Sequence, residues 1–90
     1  MDKISCQHIL VDHEYEINDI KKKLEDGVSF EQCAKDFSNC PSGSEGGSLG
    51  SFGKGMMVAP FEKAAFELEV GQVSDSVQTQ FGYHLIKRVE

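Results

Sequence analysis

Ile4-Ser5-Cys6-Gln7-His8-Ile9-Leu10-Val11 decides how this chain folds. In an extended segment Ile4, Cys6, His8 and Leu10 share one face, and Ser5, Gln7, Ile9 and Val11 share the other. Apolar residues stand on both faces, so the segment reads as an inner strand covered on two sides. Tyr83 to Val89 alternates in the same way at the far end of the chain. The two apolar strands are expected to pair at the sheet centre, which makes His8 and His84 cross-strand neighbours.

Between them, Ile17, Ile20 and Leu24 recur at helical spacing and Gly27 supplies a stop. Ser29 with Gln32 three residues on forms a capping box, opening a second helix whose stripe is Phe30, Cys33, Ala34 and Phe37 and whose end falls near Ser38-Asn39. Pro41-Ser42-Gly43-Ser44 is a turn, and Ser48 to Phe52 a short strand. Pro60 suits the first turn of a third helix bearing Phe61, Ala64, Ala65 and Leu68, with Gly71 beyond its end. Val73 to Thr79 is strand-like, and Phe81-Gly82 turns into the closing strand. The order β-α-α-turn-β-α-β-β predicts an α+β domain with a small, mainly antiparallel sheet, residues 1–90 forming a single domain.

A formal net charge of -6 argues against a nucleic-acid binder, which needs a basic stripe to neutralise phosphates. Lys21-Lys22-Lys23 is the one basic run, and on a helix its members point in different directions, as on a solvated face. Recruitment to a membrane surface through that helix is left open and has no support. No segment approaches the ~20 apolar residues of a membrane span, and Met1 to Ser5 lacks an apolar signal core. Cys6, Cys33 and Cys40 are odd in number and lack CxxC spacing, so reduced thiols in a cytoplasm are expected, with no metal and no cofactor. The chain is expected to be a monomer.

Gly46 to Phe61 sets five glycines among Leu49, Phe52, Met56, Met57 and Phe61. A permissive backbone carrying large apolar groups is either a binding wall for something hydrophobic or a tightly turned strand pair packed on its own core. Cys40 allows three readings: half of a Cys-His nucleophile, a semi-buried thiol, or a polarisable group on a pocket floor. The histidine pair reads as a structural element that also shapes a site, whereas His13, between Asp12 and Glu14, reads as solvated.

The motifs Cys6-Gln7-His8-Ile9-Leu10-Val11, Phe37-Ser38-Asn39-Cys40-Pro41-Ser42-Gly43, Gly47-Ser48-Leu49-Gly50 and Phe52-Gly53-Lys54-Gly55-Met56-Met57 occur in that order. Pro60-Phe61-Glu62-Lys63-Ala64-Ala65-Phe66 and Thr79-Gln80-Phe81-Gly82-Tyr83-His84-Leu85-Ile86 follow. Together they resemble the parvulin-type peptidyl-prolyl cis/trans isomerases over essentially the whole chain. The resemblance implies a four-stranded antiparallel sheet wrapped by helices, of parvulin or FKBP-like kind. It also implies a proline pocket of Leu49, Met57 and Phe61 with Phe52 beside it, over the paired His8 and His84. Cys40 matches a position that carries cysteine or aspartate in the family, and Ser38 and Thr79 match polar members of the surrounding network.

The implied activity is non-covalent rotation about Xaa-Pro bonds, assisting folding of proline-containing peptides and partly folded proteins. The alternative is a non-catalytic peptide-binding chaperone module on the same fold. Some members bind phosphoserine or phosphothreonine through a basic cluster after the first strand, where this chain has Asp12-His13-Glu14-Tyr15-Glu16. An acidic loop repels phosphate, so unphosphorylated Xaa-Pro is the expected substrate, with apolar or basic residues tolerated before the proline.

Overall fold

The computed structural model describes residues 3–90; Met1 and Asp2, where the reading of a missing signal core begins, lie outside them. Four strands, β1 (Lys3–Val11), β2 (Ser48–Gly53), β3 (Val77–Thr79) and β4 (Gly82–Arg88), form one antiparallel sheet in the order β2-β1-β4-β3. The two long apolar strands are indeed its central pair. Leu10 lies opposite His84 and His8 opposite Ile86, so the two histidines are diagonal neighbours.

Two cores follow from the alternation along β1. Ile9 and Val11 pack with Leu85 under α1 (Glu14–Glu25) and α2 (Phe30–Phe37), against Ile17, Ile20, Phe30, Cys33 and Ala34. On the opposite face Ile4, Cys6 and Ile86 pack with Phe52 under α3 (Ala59–Glu67), against Phe61, Ala65 and Leu68. The sheet is therefore covered on both sides, as an inner strand with two apolar faces requires. His8 belongs to the α3 side by its alternation, and so does His84 by its pairing.

Two expectations are corrected in detail. Ser29 Oγ accepts from Gln32 N at 3.1 Å, but the Gln32 amide turns forward to Asp36 Oδ1 at 2.9 Å, so only half of the capping box forms. The reciprocal arm occurs one helix earlier, where the Glu16 carboxylate accepts from the His13 backbone N–H at 3.0 Å. The third strand is Val77–Thr79 rather than Val73 to Thr79: Val73 makes one isolated bridge to Lys87, and Ser74 Oγ bonds the neighbouring backbone instead. Both histidines sit inside their strands, which explains their burial.

Pairing of β1 with β2 carries a bulge. Ser5 faces Ser51 and Gln7 faces Ser48, leaving Leu49 and Gly50 opposite Cys6 alone, with Gly50 at φ +70. Strict alternation from Phe52 would send Leu49 to the α1–α2 side. The extra residue turns it back, so Leu49 and Phe52 serve the same face.

The 3₁₀ turn Pro41–Glu45 ends at Gly46, and Gly47 then passes so close to β1 that an added Cβ would meet the His8 carbonyl oxygen. Gly47 O accepts from His8 N at 2.9 Å. Gly47→Ala should therefore cost on the order of 3 kcal/mol, since it combines a backbone clash with φ +84. Gly50→Ala, where a Cβ meets open space, should cost only about 1 kcal/mol. Urea denaturation of both variants checks the contrast, and equal losses would contradict this account of the turn.

Candidate functional site

Where β1, β4, the Pro41–Glu45 turn, β2 and the start of α3 meet, a cavity of about 370 Å³ opens to solvent. Leu10, Leu49, Met56, Met57, Val58, Phe61 and Phe81 make its apolar walls, and His8, His84 and Cys40 are its polar members. No lysine, arginine or carboxylate is among the lining residues. Of the apolar residues expected at the site, Leu49, Met57 and Phe61 are there. Phe52 is not: only 1% exposed, it lies behind Phe61 at 6.1 Å between ring centroids and acts as the floor on which that ring rests. Pocket and core are not alternatives for Phe61, which is 3% exposed yet lines the cavity.

Phe61 stands edge-on to both imidazoles, its ring centroid 5.6 Å from His8 at 79° and 5.3 Å from His84 at 83°. The imidazoles are nearly parallel, at 18°, and join through their Nδ1 atoms at 3.1 Å. Their outer nitrogens are also engaged, His8 Nε2 with Ser42 Oγ at 3.2 Å and His84 Nε2 with Thr79 Oγ1 at 2.8 Å. Ser42 Oγ donates to Cys40 Sγ at 3.3 Å, and Thr79 Oγ1 accepts from Phe81 N at 3.2 Å.

Burial lowers the pKa of His8 from 6.5 to about 4, with the neighbouring His84 adding to the effect, and burial lowers that of His84 as well. Both rings are neutral at pH 7, so each carries one N–H and one acceptor nitrogen. Hydrogen-bond counting then assigns a direction to the whole chain. The Ser42 hydrogen is spent on Cys40, so His8 Nε2–H donates to Ser42 and His8 Nδ1 accepts from His84 Nδ1–H. His84 Nε2 is left to accept from the Thr79 hydroxyl.

Ser38 holds the framework rather than the cavity: its Oγ accepts from Leu10 N at 3.1 Å and Cys40 N at 3.3 Å, tying the turn to the end of β1. Thr79 sits in the histidine network as expected. Leu10, Ser42, Val58 and Phe81 also belong to the site without having been expected there, and Met56, expected only as one apolar residue of the glycine-rich run, lines the cavity. Ser42 and Phe81 read from sequence as turn residues, although a hydroxyl two positions after Cys40 and an aromatic ring in a hairpin turn are visible signals. Among the described residues no three His, Cys, Asp or Glu side chains gather as a metal would need.

An apolar cup over a neutral, hydrogen-bonded histidine pair, mounted on an antiparallel sheet in this strand order, is the site of one class of protein: the parvulin-type rotamases, which turn the bond before proline. Comparison with known proteins agrees, since the family of PPIC-type PPIase (rotamase) domains matches residues 8–90, and the chain belongs to that family. It is similar to the foldase protein PrsA of Geobacillus kaustophilus, 51% identical over 86 residues that make up 94% of this chain and 31% of that protein. The crystal structure of PrsA from Bacillus subtilis superposes with a TM-score of 0.95 at 48% identity, covering 98% of this chain and 35% of that one. The solution structure of the parvuline of Nitrosopumilus maritimus gives 0.89 at 48% identity and covers 100% and 98%. The chain thus spans about a third of the foldases it matches and nearly all of the parvuline chain.

Protonation should break the histidine network. Because the folded pKa of His8 lies below its ordinary 6.5, this contribution to stability is fully present above about pH 6.5 and is lost as pH falls from there towards 4. The slope should approach ~1.4 kcal/mol per pH unit for each histidine involved. Urea midpoints measured from pH 7 to 5, above the carboxylate range, should fall steadily; a flat profile, or a His8 ring titrating near 6.5 by NMR, would contradict it.

Proposed function

We propose that this chain accelerates cis/trans rotation about unphosphorylated Xaa-Pro bonds by non-covalent catalysis, and that its substrates are proline-containing segments of unfolded or partly folded proteins. The observation that carries this reading is the apolar cavity of about 370 Å³ closed below by two neutral histidines. Rotation must break amide resonance, a barrier of ~18–20 kcal/mol for peptide bonds. The twisted amide is less charge-separated than the planar one. A cup of Leu49, Met57 and Phe61 that grips the proline ring and withholds water therefore favours the transition state over the ground state.

A nucleophilic role for Cys40 has little support. Both imidazoles have their two nitrogens engaged elsewhere, and the partner of Cys40 Sγ is a hydroxyl that donates to it rather than a base that would take its proton. Cys40 serves better as a polarisable wall beside the moving carbonyl.

Absence of a phosphate requirement is supported by the β1–α1 corner. Asp12, Glu14 and Tyr15 are exposed just beyond Leu10, and the N–H of His13, which a phosphate at this helix start would use, already bonds the Glu16 carboxylate. Proline isomerisation limits many folding reactions, which gives such an activity a use in folding.

Exchange NMR on a short Xaa-Pro peptide with catalytic amounts of protein tests the reading: faster cis/trans exchange is expected, and an unchanged rate would leave a peptide-binding chaperone module as the function. Met57→Ala, at a half-buried position, should lower kcat/KM about tenfold with a modest stability loss, whereas Phe61→Ala should lose both activity and ~3–5 kcal/mol of stability. Cys40→Ser should keep measurable turnover; complete loss in a folded variant would revive the covalent mechanism. Phosphorylating a serine before the proline should slow turnover, and a gain would overturn the assignment of the acidic corner.

A further inference from the structure

Phe81 is a large aromatic ring that is 60% exposed at the rim of the cavity, and Met56, also on the rim, is 66% exposed. Neither is needed to fill a core. Phe81 nevertheless stands on a fixed platform. Its own N–H bonds Thr79 Oγ1, and the following Gly82, at φ +137, packs so tightly on β1 that a Cβ there would lie 2.5 Å from the Val11 carbonyl oxygen. A ring whose backbone is already fixed, and which stays uncovered in the free protein, loses only its own side-chain freedom when something covers it.

With a proline ring seated, as proposed, among Leu49, Met57 and Phe61, the exposed Met56 and Phe81 are left for a neighbouring side chain. We infer that Phe81, with Met56 on the same rim, is a specificity-determining residue that selects peptides carrying a large apolar or aromatic side chain next to the proline. This deepens the prolyl-isomerase reading and rests on it. The chemistry is contact between apolar surfaces, in a site whose lining holds no charged side chain to attract a polar flank. Thr79 receives the Phe81 N–H and also bonds His84, so the hairpin that carries the ring is fastened to the histidine network and keeps the rim in register with the proline pocket.

The test is a ratio. Four peptides differing only beside the proline, with Leu or Ala before it and Phe or Ala after it, are compared in wild type, Phe81→Ser and Phe81→Leu, reading kcat/KM by exchange NMR and affinity by chemical-shift titration. Wild type should prefer the large flank over alanine by about five- to tenfold in at least one arm, and that arm identifies which side of the proline Phe81 reads. Phe81→Ser should bring that preference close to one whatever it does to the absolute rate, and Phe81→Leu should restore much of it. A preference that persists in Phe81→Ser, or a wild type with none in either arm, overturns the inference. If wild type turns over no peptide, the isomerase reading fails, and the same ratio in affinities still decides the role of Phe81.

Discussion

The hydrogen bond between the Nδ1 atoms of His8 and His84 is the constraint around which the site is arranged. The two residues lie 76 positions apart in the chain and come together because β1 and β4 pair in one register. Directly opposed side chains on an antiparallel pair have Cβ atoms ~4.5–5.5 Å apart, too close for two imidazoles to meet end to end, whereas diagonal neighbours at ~7–8 Å leave room for that bond. A slip of one residue would carry one of the rings to the α1–α2 side. Each buried imidazole without a partner would cost ~1–3 kcal/mol, so the bond and its continuation through Ser42 and Thr79 make a polar layer tolerable inside an apolar sheet.

The remaining cavity walls follow from how closely other segments approach that pair. Gly47 brings the chain against the His8 backbone, which starts β2 beside the histidine, and the bulge at Leu49-Gly50 then aims Leu49 over it. The strand ends in a turn at Gly55, φ +88, and Pro60 in the first turn of α3 sets the helix that lowers Phe61 onto both rings. Glycine and aromatic content in this run serve one purpose. Backbone permissiveness lets three successive apolar groups converge on a surface only two imidazoles wide.

Much of this was legible in the sequence. The period-2 pattern of Ile4 to Val11 with apolar residues on both faces located the central strand, and the stripes of Ile17-Ile20-Leu24 and Phe30-Cys33-Ala34 located two helices. The family motifs then named the pocket residues. What stayed illegible depends on phase and on long-range partners. A bulge changes which face a residue serves without changing composition, so Leu49 could be placed at the site by resemblance but not by alternation. The family motifs place Phe52 beside the pocket along with Leu49, and the two do serve the same face, but depth separates them: Phe52 is buried behind Phe61. Gln32 had the sequence of a reciprocal cap, and the competing Asp36 one turn on took its amide. Ser42 looked like turn punctuation because its two partners, His8 and Cys40, define it only in three dimensions.

Neutrality of the histidine pair links the fold to the chemistry. An imidazolium under the cavity would hold water and would favour the planar amide, whose carbonyl oxygen carries the larger negative charge, opposing rotation. Burial makes that charged state costly, and the Nδ1 contact with a second imidazole makes it costlier still, since two adjacent positive rings repel. The pair therefore supplies fixed dipoles without net charge at the base of the cavity where the proposed rotation would take place. Each ~1.4 kcal/mol by which this environment prefers the twisted amide is about tenfold in rate, so a few such increments suffice against a barrier of ~18–20 kcal/mol. No residue has to form a bond for that to happen. The proposed rotation asks little of a small chain, because the requirement is an apolar cup over a neutral polar floor, and a sheet with two inner strands already provides that floor.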